Sequence, residues 1–382
     1  MTHTFVHACA GSGKTQSIIA RCQMDSAGTR RLIITLTTSG QDEIESRLRQ
    51  VSATRDEHPE VSGWYAFLLN QIVRPYLELL FPGRRIAGFL FDCSAVRDMI
   101  RYKKKSDPAR YFSSTGMVYK DSLEDLAVQV MQCANGLVER RLSLIYDEII
   151  IDEVQDISRS GLDVIAKLVQ QDSFGCFFVG DGRQSLLDSN LSSNKNKQAD
   201  RQNLLAWYRN LSMTNQLNIE ERTETFRFNQ AIADFSDTIF PESFGFSPTQ
   251  SRMLDRSGHD GVFLVAAEDL DEYIERYNPV ILRGSKSSWK NCAELDPINF
   301  GVSKGRTYER VAILATGAIE KFCLSGEALK DKSACSFYVG VTRAMYSVAI
   351  VVNRTRNKLF GAVNGGLDVW FPQRPTVKIS GE

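Results

Sequence analysis

Two short stretches carry residue types suited to phosphate chemistry. The first, Asp152-Glu153-Val154-Gln155-Asp156, ends the apolar run Ile149-Ile150-Ile151 in adjacent carboxylates. Cleavage of a phosphate anhydride asks two things of carboxylates: to hold Mg²⁺ and to orient an attacking water. Asp152 and Glu153 suit those jobs in that order, and Gln155-Asp156 suggests a task beyond hydrolysis. The bland alternative is a surface-ended strand with a chance acidic cluster. The second stretch, Ala8-Cys9-Ala10-Gly11-Ser12-Gly13-Lys14-Thr15, is a phosphate cradle near the start of the chain. Ala10, Gly11, Ser12 and Gly13 are small enough for backbone N–H groups to wrap phosphates. Lys14 would reach the β- and γ-phosphates and the Thr15 hydroxyl would ligate Mg²⁺, so ATP and Mg²⁺ are the cofactors implied.

Such groups need strands that end where loops begin. Phe5-Val6-His7 reads as a strand ahead of the cradle, and residues 16–22 as a helix whose N-terminal dipole adds to the site. Residues 31–36 read as a second strand, followed by a charged helix over 41–48. Between about residues 53 and 144 the periodicity turns helical, over 64–80 up to the turn Phe81-Pro82-Gly83 and again over 123–144. A mainly helical insertion is therefore expected there. Beyond Asp156 come a helix over 161–170, a strand over 176–179 that runs into the polar tip Gly180-Asp181-Gly182-Arg183-Gln184, an exposed Ser/Asn/Lys loop over 188–202, and a helix over 204–211. A second alternating set follows, with a helix over 230–239 and strands over 262–265, 280–282, 311–314 and 348–352. The expected fold is α/β: a first lobe over 1–215 with the insertion at about 53–144, and a second over 216–382, nucleotides binding beyond the C-terminal ends of parallel strands.

Composition narrows the class. A chain of 382 residues with 43% hydrophobic content can fill two or three packed cores. With 46 residues of each sign, total charge gives no argument for nucleic acid, so any binding groove must be local. Candidates are Arg101-Tyr102-Lys103-Lys104-Lys105, Lys195-Asn196-Lys197 and, more weakly, Arg84-Arg85, though such runs are more often solvated surface. The eight cysteines form no CxxC pair and read as separate reduced thiols. With no signal peptide or long apolar run, a cytoplasmic protein without a membrane partner is expected. Cys9, inside the cradle, reads as a small packing residue rather than a redox switch.

Taken in order, Gly11-Ser12-Gly13-Lys14-Thr15, Asp152-Glu153-Val154-Gln155-Asp156 and Val179-Gly180-Asp181-Gly182-Arg183-Gln184-Ser185 resemble the motifs of superfamily 1A helicases of the UvrD/Rep type. Leu36 to Ile44 resembles the single-strand-contacting motif of that family, and Thr225-Phe226-Arg227-Phe228 its aromatic-arginine motif. Ser303 to Glu309 and Phe337 to Ala344 resemble its last two motifs, so the likeness spans both lobes. The resemblance implies two RecA-like lobes with ATP hydrolysed at their interface. It assigns Lys14 and Thr15 to phosphate and Mg²⁺, Asp152 to the metal, Glu153 to catalysis, Gln184 to sensing the γ-phosphate, and Arg227 and Arg343 to reaching that phosphate from the second lobe. Phe226 would stack on the base; core packing is its alternative. Thr37, Thr38, Trp64 and Ser303 are the candidate DNA contacts, with Trp64 equally readable as core. The function implied is 3′-to-5′ translocation on, or unwinding of, single-stranded or tailed DNA.

Several positions depart from the family pattern. Only Met1 to Thr4 precede the first strand, so the family's upstream adenine-reading glutamine has no counterpart, and Gln16 stands where an arginine often follows the Lys-Thr pair. Leu187-Asp188-Ser189-Asn190 replaces an aromatic and Arg-Gly-Ala run, and Thr307 stands where a ribose-binding glutamate is common. About 75 residues separate Arg227 from Ser303, too few for the large second-lobe insertion of long relatives. A nearly bare second lobe raises an alternative: an ATP-gated regulatory or assembly subunit of a partner nuclease, of the anti-phage defence type, or a protein that acts through self-association.

Overall fold

A computed structural model gives the fold and describes residues 2–24, 28–51, 59–185, 204–285, 289–360 and 367–372. The expected Ser/Asn/Lys loop, including Lys195 to Lys197, lies outside the described residues. Contacts divide the chain into two units, one of Met1–Ala8 with Gly13–Arg222, the other of Cys9–Ser12 with Thr223–Glu382. Among the described residues each unit is built on a six-stranded parallel sheet, the architecture of two RecA-like lobes.

In the first unit β1 (His3–Ala8), β2 (Arg31–Thr35) and β3 (Glu60–Gly63) precede a small parallel pair, β4 (Gly88–Leu90) and β5 (Met117–Tyr119). Then come β6 (Glu148–Ile151), β7 (Gly175–Gly180) and β8 (Leu217–Arg222), and the main sheet runs β3-β2-β6-β7-β1-β8. The central strands are buried along their whole length, as their β-branched and aromatic runs predict for a sheet covered on both faces. On one face Ile18, Ile19, Ile44 and Leu48 pack against Val6, Ile33, Ile150 and Val179. Those covering residues belong to α1 (Lys14–Met24) and α2 (Thr38–Val51), so the helix that follows the cradle is anchored in the core. The N-terminus of α2 is capped by Thr37 Oγ1, which accepts from the Gly40 N–H at 3.1 Å.

Two expectations change here. Glu60–Gly63 falls within the stretch expected to be helical, yet pairs with β2 as an edge strand of the main sheet. Leu217–Arg222 lies beyond residue 215 and pairs with β1 from His3↔Leu217 to Ala8↔Arg222. Both are edge strands with partly exposed, polar sequences, which carry weak hydrophobic signals. The helical stretch over 64–80 forms as Trp64–Phe67, a π-helical Leu68–Val73 and Arg74–Leu80. The expected helix over 123–144 is two, Leu123–Ala134 and Leu137–Ile145, because Asn135 (φ 46°) and Gly136 (φ 88°) are left-handed and cannot continue a right-handed turn.

The second unit opens on the short pair β9 (Glu224–Thr225) and β10 (Gln250–Ser251). Its main sheet comprises β11 (Gly261–Ala266), β12 (Val280–Arg283), β13 (Ile298–Asn299), β14 (Tyr308–Leu314), β15 (Ala344–Val352) and β16 (Asp368–Val369), ordered β13-β12-β14-β15-β11-β16. Val265, Ala312, Leu314, Ala349 and Val351 form its core with Leu270, Tyr273 and Trp370. No helix among the described residues is long and apolar enough to cross a membrane.

Candidate active site

Register brings the polar tips of the first unit to one edge of the sheet. His7 pairs with Gly180, Ile151 with Phe178, and Ile34 with Ile151, so the cradle, Thr37, Asp152 and Asp181 all follow the C-terminal ends of adjacent parallel strands. The cradle turns on Gly11 and Gly13, both at φ 77°, a conformation that a side chain would strain. Ser12 Oγ is buried there with no hydrogen-bond partner. Lys14 lies at the start of α1, its Nζ donating to Ala8 O at 3.2 Å, with Thr15 in the same first turn.

The acidic tip is held by side chains. Asp152 Oδ1 accepts from the Glu153 N–H at 2.9 Å, and Glu153 adopts φ 56°, ψ 38°. A non-glycine residue in that region costs about 1–2 kcal/mol, which the surroundings must offset. Gln155 supplies part of the restraint: its Nε2 donates to Glu153 Oε2, while its Oε1 accepts from the Asp181 N–H at 3.0 Å. One amide thus ties the tip of β6 to the tip of β7. The fit is tight, since a Cβ on Gly180 would meet Gln155 Oε1 at 2.6 Å and Val154 Cγ2 at 2.8 Å.

Asp181 organises the second tip. Its Oδ2 accepts from Gln184 Nε2 at 2.7 Å, and its Oδ1 accepts from Arg183 N at 3.1 Å and Arg183 Nε at 3.2 Å. Burial pushes the carboxyl up, but the charges of Arg183, Lys14 and His7 and the bond from Gln184 together outweigh it and hold Asp181 well below the usual carboxylate range. Burial lowers His7 to about 4 despite the pull of Asp181, so its ring is neutral at pH 7 and Nε2 can accept from the Gly182 N–H at 3.3 Å. Neither His7 nor Asp181 is singled out for a site role by the sequence. The signal for Asp181 was the polar end of β7; nothing in the sequence distinguishes His7 from an ordinary strand residue.

Of the candidate contacts with a single strand, Thr37 and Thr38 are exposed at the start of α2. Trp64 is instead a core residue, 1% exposed, with its Nε1 donating to Glu124 Oε1 at 2.8 Å. A ring packed in this way has no free face for a base. In the second unit Ser303 is also buried, its hydroxyl donating to Phe300 O at 2.8 Å.

The remaining predicted residues of the second unit differ sharply in exposure. Phe226 is 63% exposed, so it does not pack in the core. Arg343 is 1% exposed, donating to Val339 O at 2.9 Å, Arg306 O at 3.3 Å and Thr342 Oγ1 at 3.3 Å. Arg227 Nη1 donates to Thr342 O at 3.3 Å.

The donors at the first-unit edge suit Mg²⁺. Thr15 and Asp152 offer hard oxygen atoms, and among the described residues no cluster of three or more His, Cys, Asp or Glu forms a cage for a metal by itself. The orphaned Ser12 hydroxyl likewise fits a cradle that takes a phosphate.

Parts of the chain are similar to known proteins. Residues 1–189 match the family AAA_19, described as an AAA domain. An ATP-dependent helicase/nuclease subunit from Oenococcus oeni (strain ATCC BAA-331 / PSU-1) is 28% identical over 117 residues, which is 31% of this chain and 9% of that protein. Two solved structures of the arterivirus helicase, nonstructural protein 10, one in complex with DNA, align with 95% of this chain and with 62% and 63% of theirs. Their identities are 15% and 14% and their TM-scores 0.46 and 0.45, too distant to transfer any property. The chain therefore spans less than two thirds of the length of each of these proteins.

Proposed function

We propose, from the motif resemblance to UvrD/Rep-like helicases and the AAA-domain match over residues 1–189, that the protein is an ATP-driven motor on single-stranded DNA, moving 3′-to-5′. The observation that carries the reading is the Gln155 bridge, which joins Glu153 to the Asp181–Gln184 pair at the strand ends beside the cradle. Hydrolysis alone needs a carboxylate; a bridge from it to a second polar tip suits a site that must report whether the triphosphate is intact.

In this reading the backbone of Ala10, Gly11, Ser12 and Gly13 binds phosphates and Lys14 neutralises them. Thr15 and Asp152 hold Mg²⁺, which when bound spreads the negative charge of the phosphates. Glu153 accepts a proton from the attacking water, and Gln184 orients toward the γ-phosphate. Arg227 and Arg343 are assigned to the same phosphate, and guanidinium suits them because it stays charged and presents a planar fork of donors. Phe226 stacks on the base, and Thr37 and Thr38 contact the single strand; their exposure supports both assignments. The ATPase lobe is taken through Arg222, since β8 pairs along the whole of β1, and the second lobe begins at Thr223.

Purified protein should hydrolyse ATP faster with single-stranded DNA, and Glu153→Gln should lower that rate by about 10³-fold while nucleotide still binds. Comparison of 3′-tailed, 5′-tailed and blunt DNA in hydrolysis and strand displacement reads out direction and unwinding together. Turnover indifferent to every polynucleotide would sink the motor.

A second reading is an ATP-gated protein that switches a partner nuclease. What favours it is the Oenococcus oeni relative, whose name joins helicase and nuclease in one assembly. Stable co-purification with a nuclease, retained in Glu153→Gln, is its expected outcome; a protein that translocates alone and binds no nuclease would remove it.

A further inference from the structure

The helical insertion grips the loop that carries Glu153. Glu124, in the first turn of the helix Leu123–Ala134, is 1% exposed and reaches in two directions. Its Oε1 accepts from Trp64 Nε1 at 2.8 Å, and its Oε2 accepts from Ser158 Oγ. Ser158 is the N-cap of the helix Arg159–Leu168, five residues beyond Glu153, and its Oγ also accepts from the Gly161 N–H at 3.4 Å. The adjacent residue repeats the pattern: Asp125 accepts from Ser160 Oγ at 3.1 Å and from Arg110 Nη2 at 2.6 Å. There is no slack in the joint. A Cβ on Gly161 would meet Ile157 Cγ2 at 2.4 Å, Glu124 Oε1 at 2.8 Å and Trp64 Cζ2 at 3.1 Å.

Each arm leads to a part of the site. From Ser158 the chain runs back through the buried turn Val154–Asp156 to Gln155, which holds Glu153 and the Asp181 N–H. From Trp64 it runs back to Gly63 at the end of β3, where a Cβ would meet Gln41 Nε2 at 3.0 Å, so α2 packs directly on that corner. The start of α2 is the Thr37-Thr38 segment. A buried carboxylate that serves only packing is costly, because its lone pairs must all be met; here both oxygens are spent on joining two segments.

We propose that Glu124 is a positioning residue which, through Trp64 on one side and Ser158 on the other, sets the placement of Glu153 according to whether a single strand occupies the Thr37-Thr38 segment. The proposal rests on the motor reading for its input and output, but the joint itself can be tested without either. Both links are direct and buried, which is the kind of contiguous contact that transmits a shift of about 1 Å into a change in rate.

The experiment uses the full chain with Ser158→Ala, which removes one arm, Trp64→Phe, which keeps a ring and removes the other, and Ser158→Thr, which restores a hydroxyl. Stimulation of hydrolysis by saturating single-stranded DNA should fall about tenfold in the first two, with the KM for ATP within about twofold of the parent, and recover in Ser158→Thr. Backbone amides of residues 153–161 should exchange hydrogen faster in both weakened variants. Unchanged stimulation in both variants, or a loss that merely follows lowered thermal stability and raised KM, overturns the proposal. Should the parent show no stimulation at all, the motor reading fails, and exchange still decides the joint: unchanged protection over 153–161 in both variants overturns it.

Discussion

The two units solve the same problem, holding polar groups near strand ends, with different bonds. In the first, side chains hold side chains: Gln155 holds Glu153, Gln184 and Arg183 hold Asp181, and Glu124 holds Trp64 and Ser158. In the second, Arg343 is held chiefly by main-chain oxygens of Val339 and Arg306, and Arg227 by that of Thr342. Side-chain networks can rearrange one partner at a time, whereas a guanidinium bonded to carbonyls is built into the backbone path itself. Activity should therefore be the sensitive readout for the first arrangement and stability for the second.

The largest effect is expected at Arg343. Arg343→Ala removes bonds from a buried charged donor to Val339 O, Arg306 O and Thr342 Oγ1, and should destabilise the second unit by about 3 kcal/mol in urea unfolding. A variant that keeps full stability and loses only hydrolysis would break the contrast.

Next comes Gln155→Ala. It releases Glu153 Oε2 from the amide and leaves the buried Asp181 N–H without its Gln155 acceptor, so hydrolysis should fall about 10- to 100-fold with a stability loss of about 1–3 kcal/mol. Loss of folding without a kinetic defect in the surviving protein would make the bridge purely structural.

The smallest effect is a pH dependence found in both units. His7 in the first and His259 in the second are each lowered to about 4 from 6.5, chiefly by burial. His259 is stacked between Phe263 and Tyr277, with ring centroids 4.3 Å and 3.7 Å away. Between pH 6.5 and 4 the unfolded chain binds more protons at these positions than the folded one, so stability is full above about 6.5 and declines as pH falls toward 4. Asp181 does not mask this trend, because its depressed carboxyl stays ionised throughout that window. Thermal midpoints at pH 7 and pH 5 should differ, and the difference should shrink more in His7→Gln than in His259→Phe, since His259 is partly exposed and better screened. Equal slopes in all three proteins would count against burial of these rings as the cause.

Much of the site was legible before the structure because its elements announce themselves locally. Ile149-Ile150-Ile151 and Cys176-Phe177-Phe178-Val179 are buried strands as expected, and the polar residues that follow them sit at one sheet edge because parallel strands share a direction. The edge strands β3 and β8 were missed because their sequences, Glu60-Val61-Ser62-Gly63 and Leu217-Asn218-Ile219-Glu220-Glu221-Arg222, alternate polar groups against a half-exposed face. Trp64 is the opposite case, equally readable from the sequence as a single-strand contact or as core. The choice waits on its partner, and that partner lies 60 residues away.

By itself, the sequence determined the glycine-rich turn after the first strand, the acidic strand end at Asp152-Glu153, the succession of parallel strands, and the order of motifs on which the family resemblance rests. These follow from neighbours within a few residues, where hydrophobic periodicity and turn chemistry act. Only the tertiary structure decided that Gln155 bridges two strand tips, that His7 lies under Gly182, and that Glu124 joins Trp64 to Ser158. Those pairings bury polar groups that water would otherwise satisfy, so they exist only where the fold brings each donor to its acceptor.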